Sequence, residues 1–154
     1  MDKVALGKIA FISTLLGAVC AVLAIIPVVV KFVTFVLMTC ICVPIIFYLR
    51  KLEKLEIFTI KESLCAGAVS GFVSFMVFTL IFIPLVNVIS LFFPITYLGG
   101  LVLMLKLSNF WLILMFALFV STVSVIFNAF SSLLYYYASS TFETVQKDKT
   151  FKLK

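Results

Sequence analysis

Four long apolar stretches, separated by short polar or charged intervals, organise the chain. The first runs from about Ile9 to Val30 and the second from about Phe32 to Leu49, with Lys31 between them. The third runs from Ile60 to Ile83 and the fourth from Phe110 to Tyr137. Runs of about 20 apolar residues are long enough to cross hydrocarbon as helices. The pattern therefore predicts an all-α fold, a polytopic transmembrane four-helix bundle. It forms a single integral membrane domain over residues 1–154, with spans at about 9–30, 32–49, 60–83 and 110–137 and a cytoplasmic tail at 138–154.

Local signals set the expected ends. Thr59-Ile-Lys-Glu62 has the spacing of a capping box, in which the Thr hydroxyl takes the Glu amide and the carboxylate reaches back, so the third helix starts near Ile60. Pro84 removes a ladder hydrogen bond and is expected to end or kink that helix. Pro27, near the far end of the first span, and Pro44 in the second are expected to bend their helices. Residues 84–110 stay apolar but contain Asn87, Pro94, Gly99, Gly100, Lys106 and Ser108. Unpaired backbone is not tolerated in lipid, so this region reads as a broken interfacial or re-entrant segment between helices 3 and 4, with a fifth full span as the alternative. Ser108 and Asn109 are good N-cap residues for the fourth helix. Trp111 at one end and Tyr135, Tyr136 and Tyr137 at the other mark two headgroup levels.

Composition strengthens the membrane reading. Hydrophobic residues make up 65% of the chain and charged residues 12%, about half the roughly 25% that a water-covered domain carries. The net charge is +6, but the basic residues flank the apolar runs and no nucleic-acid motif accompanies them, so no nucleic acid partner is expected. With four spans, one side receives Lys3, Lys8, Arg50, Lys51, Lys54, Lys61, Lys147, Lys149, Lys152 and Lys154, and the other only Lys31 and Lys106. The positive-inside rule then places both termini in the cytoplasm. A fifth span would send the basic tail outward. Lys3 and Lys8 ahead of an apolar run imitate a secretory signal, and Leu16-Gly-Ala-Val-Cys20 a lipoprotein box. Val19 is too large for that box and the run is too long for a signal core, so a retained first span is expected.

Small residues gather on helix faces. At about 100° per residue, Ser63, Gly67, Ser70, Gly71 and Ser74 share one sector of the third span, and Ala10, Ser13, Gly17, Cys20, Ala21 and Ala24 one sector of the first. Close backbone approach and interhelical hydrogen bonds hold helices together in lipid, and small residues permit both. Ser13, Gly17, Ala21, Ser63, Gly67, Ser70, Gly71 and Ser74 are thus expected to be helix-packing positions, with the small face of the first span opposite that of the third. The fourth span carries a polar stripe of Ser121, Ser124, Asn128, Ser131 and Ser132, beginning at Ala117. Asn128 reads either as an interhelical hydrogen-bonding residue or, with Ser121, Ser124 and Ser132, as part of a polar path.

Candidate chemistry is sparse. The chain has no histidine, no carboxylate pair facing a shared pocket and no glycine-rich phosphate loop. No ionisable group lies inside a span, where ion-coupled transport would need one. Cys20, Cys40, Cys42 and Cys65 sit in apolar runs and read as buried thiols that act as small apolar residues. No catalytic residue, cofactor or metal is expected, and the chain reads as a non-enzyme.

The basic loop after the second span, the Phe58-Thr-Ile-Lys-Glu-Ser63 stretch and a Gly/Ser-rich third span ending near a proline resemble small bacterial four-span membrane proteins grouped as a domain of unknown function. The resemblance implies a four-helix inner-membrane protein and supplies no catalytic or binding residues. The expectation is a small structural or accessory membrane subunit, packed in the lipid bilayer against itself or within a larger membrane complex. The alternative is a passive pore or small-solute permease lined by the polar face of the fourth span. A third reading, a membrane-surface enzyme or lipid-binding protein, rests on the basic loop and tail, which attract anionic lipid.

Overall fold

In the computed structural model the first helix, α1, covers Lys3–Leu23 and ends ahead of Pro27, not at Lys31. The structure describes residues 3–51, 59–92 and 110–151, with backbone only for 27, 28 and 143–151. Ala24, Ile25 and Ile26 form a tight turn in which the Ile25 and Ile26 amides donate to Val22 and Leu23, three residues back. Pro27 then opens α2 (Pro27–Thr39). Proline suits the first helical turn because its missing N–H would have no partner there. Lys31 lies inside α2, where a long aliphatic stem can run along apolar surface toward the headgroups. The first span thus ends about two turns earlier than the apolar pattern suggests.

α3 (Cys42–Lys51) continues α2 after a break at Cys40 and Ile41, and the two helices are bent by 67°. Pro44 explains the position of the break. In an unbroken helix its ring would collide with the carbonyl four residues back, that of Cys40. Breaking there lets Pro44 sit as the third residue of α3, while the Cys40 carbonyl accepts from the Val43 amide at 3.1 Å.

α4 (Ile60–Phe92) begins on the expected capping box. The Thr59 amide donates to Glu62 Oε2 at 3.1 Å, and the Glu62 amide to Thr59 Oγ1 at 3.4 Å. The helix does not end at Ile83. It passes through Pro84 and continues to Phe92, because Phe78, Phe82 and Val86 keep one buried seam running across the proline. α5 (Phe110–Phe151) likewise extends past Tyr137, so residues 138–151 of the expected tail continue the helix. The expected broken segment, beyond Phe92, lies in residues 93–109 and outside the described residues, as does the basic stretch 52–58.

The fold is an all-helical bundle of a multi-pass membrane protein, and no strand occurs among the described residues. α1, α4 and Phe110–Phe142 of α5 are each long and apolar enough to cross a bilayer, and the bent pair α2 and α3 supplies a fourth crossing if it counts as one span. At about 1.5 Å per residue, the 33-residue α4 is about 50 Å long, so it overhangs a core of about 30 Å. α4 is the central helix, with α5 along one side and α1 along another, and the bent pair packs against all three. Phe11, Phe32, Phe35, Phe116, Phe119 and Phe130 point outward and are more than half exposed. An outer surface this apolar matches lipid rather than water.

Candidate functional site

The break between α2 and α3 leaves backbone groups with no helical partner, and α5 supplies them. The Asn128 amide nitrogen donates to the carbonyls of Leu37 and Met38, both at 3.1 Å. Its Oδ1 accepts from the Cys42 amide at 3.1 Å, so one side chain bridges the last turn of α2 and the first of α3. Ser124 Oγ also donates to Leu37 O, at 3.2 Å, and Ser131 Oγ donates to Thr39 O. The Cys42 thiol donates back to the Asn128 carbonyl, Sγ to O 3.1 Å.

Helix ends carry unsatisfied amides and carbonyls, and in lipid each must find a protein partner. Spacing puts the partners in register. Ser124, Asn128 and Ser131 are four and three residues apart and share one face of α5, so they address successive carbonyls of a helix ending beside them. Asn128 is 0% exposed, and its two amide hydrogens are shared among four acceptors, the other two being Ser124 O at 3.0 Å and Ser124 Oγ at 3.1 Å. Among the described residues, no buried side-chain nitrogen or oxygen lacks a partner.

The remaining stripe residues are also engaged. Ser132 Oγ donates to Ser63 O at 2.6 Å and Ser63 Oγ to Ser132 O at 2.9 Å, an interlocked pair between α5 and α4. Ser121 is buried, and its hydroxyl donates to the Met76 thioether at 3.8 Å. Ser121, Ser124, Asn128 and Ser132 therefore all lie inside the bundle against α2, α3 and α4. Replacing Ser63 and Ser132 together by alanine should lower stability by about 1 kcal/mol, from two interhelical bonds of roughly 0.6 kcal/mol each. Thermal unfolding in detergent measures this, and an unchanged midpoint would show the pair contributes nothing.

The small face of α4 serves two neighbours, not α1 alone. A Cβ on Gly67 would lie 2.8 Å from Ala129 Cα, and one on Gly71 2.8 Å from Ser124 O, so both glycines let α5 approach. The far end of the face meets α1. Ser74 Oγ donates to Ser13 O at 3.1 Å, and a Cβ on Gly17 would collide with the Ser74 carbonyl. Ser70 and Ser13 turn their hydroxyls onto their own helices, to Gly67 O and Ile9 O, and Ala21 is buried in the core. Cys42 is buried, Cys20 and Cys40 are half-buried, and Cys65 is exposed on the outer face of α4 rather than buried.

The role of Cys42 and of the Leu37 to Thr39 carbonyls has no residue-type signature. Its one trace in the chain is Pro44, four residues after the carbonyl it displaces. Comparison with family models, curated proteins and solved structures found no match.

Proposed function

We propose that this chain is a non-enzymatic structural or accessory subunit of a bacterial inner membrane, with the bent pair α2 and α3 acting as one of four spans. The observation that carries the reading is the use of the α5 polar stripe. Every member inside the bundle is hydrogen-bonded to a neighbouring helix or a thioether, which fits a device for holding helices together better than the wall of a passage. The strongly apolar outer surface supports packing against lipid, a second copy or a larger membrane complex. Lys3, Lys8, Arg50, Lys51 and Lys61 fall at the ends of α1, α3 and α4 that share one side of the bundle, which supports a cytoplasmic placement of that side.

Purification in mild detergent and reconstitution into liposomes test this reading together. The expected result is a species larger than the monomer in native membranes and no flux of small polar solutes above empty liposomes. Flux above that background, abolished by Asn128→Leu in protein that still folds, would replace the proposal with the permease reading.

A further inference from the structure

The packing of α1 against α3 leaves a cleft of about 460 Å³ at the basic end of the bundle. Its walls are Val4, Phe11 and Ile12 of α1 and Leu49 of α3, and its polar members are Lys8 and Tyr48. The volume falls within the range of small-molecule sites. Gly7 also lines it and faces open space, since a Cβ there would meet nothing within 4 Å. Lys8 is half-buried beside apolar walls, while Phe11 and Tyr48 are more than half exposed, so the cleft opens sideways to the bilayer.

We propose that this cleft holds one anionic glycerophospholipid, with its phosphate at Lys8 and Tyr48 and an acyl chain along Phe11 and Ile12. Charge and polarity select this occupant. The cleft has an ammonium and a phenolic hydroxyl, both able to donate to phosphate oxygens, beside walls that are otherwise apolar. A soluble anion would leave those walls in contact with water. A neutral lipid would leave Lys8 without its counter-charge. Arg50 and Lys51, which directly follow Leu49 in α3, add positive potential at the same end. The opening toward the bilayer gives a lipid direct entry, with no path through water.

Native mass spectrometry of the full chain in mixed micelles containing equal phosphatidylglycerol and phosphatidylcholine tests the site. The expected result is one retained phosphatidylglycerol per chain, preferred over phosphatidylcholine. Lys8→Gln should reduce that preference roughly five-fold, the effect of one lysine near an anionic surface. Gly7→Leu should abolish retention by filling the cleft while leaving the helices in place. Both variants are compared only as protein that elutes like the original chain, and Lys8→Gln decides alone if Gly7→Leu does not fold. Equal retention of both lipids, or a phosphatidylglycerol preference unchanged by Lys8→Gln, overturns the proposal. So does a dimer that Gly7→Leu dissociates, which would make a second copy the occupant.

Discussion

Asn128→Leu is expected to destabilise the bundle by about 2–4 kcal/mol, more than any other single polar substitution in α5. The substitution leaves Leu37 O with its Ser124 donor, but strips Met38 O and the Cys42 amide of their partners. A buried backbone group left unpaired costs about 1–3 kcal/mol, whereas an ordinary interhelical hydrogen bond in a membrane protein averages roughly 0.6 kcal/mol. If Asn128 merely links two intact helices, the smaller figure applies; if it closes a broken one, the larger does.

Two companion variants separate the cases. Ser121→Ala removes only a long contact to Met76 and should change stability by less than about 0.5 kcal/mol. Asn128→Asp keeps an acceptor for the Cys42 amide but sets a carboxylate against the two carbonyls in a fully buried site, so it should be at least as damaging as leucine. Unfolding followed by circular dichroism in mixed detergent and SDS gives the values. A loss below about 0.6 kcal/mol for Asn128→Leu would mean that the break is closed some other way.

Most parts of this joint are visible in the chain, but not the way they meet. The polar stripe at 121, 124, 128, 131 and 132 shows in the spacing, because side-chain polarity is a property of residue type. Its acceptors do not, since the carbonyls of Leu37 and Met38 look like any others until the helix containing them is broken. A bend caused by Pro44 was expected and is found, but its position four residues upstream, at Cys40, has no mark of its own in the apolar run.

Lys31 misleads for the opposite reason. A charge is costly inside a membrane span and so usually signals its end, yet a lysine near a span's end can stay helical while Pro27 does the stopping. Pro84 shows that the same residue type need not stop a helix when packing continues on both sides of it. The small face of α4 was legible as a packing surface, and its division between α5 and α1 was not, because a sector of about 100° is wide enough for two neighbours.

The second large effect is expected at Gly71, and it is coupled to the first. A Cβ there would lie 2.8 Å from Asn128 Cβ and 2.9 Å from Asn128 Nδ2, so the absence of a side chain on α4 is what makes room for the asparagine on α5. Gly71→Ala should therefore do more than push two helices apart. It should displace the Asn128 amide from Leu37 O and Met38 O, adding the cost of the reopened break to an overpacking cost of about 1–3 kcal/mol. In a double-mutant cycle with Asn128→Ala, the part of the Gly71→Ala loss that comes from displacing the Asn128 amide should disappear, with an interaction energy of at least about 1 kcal/mol, while the contacts with the residue 128 Cβ and Ser124 O persist. Gly17→Ala provides the contrast. It collides with the Ser74 carbonyl on the α1 side, away from Asn128, and should cost a similar amount but add independently to any Asn128 substitution. Additivity at both glycines would reduce Gly71 to a spacer. Coupling at Gly71 alone would establish that the glycine face and the polar stripe are two halves of one joint, which holds a bent helix closed inside the membrane.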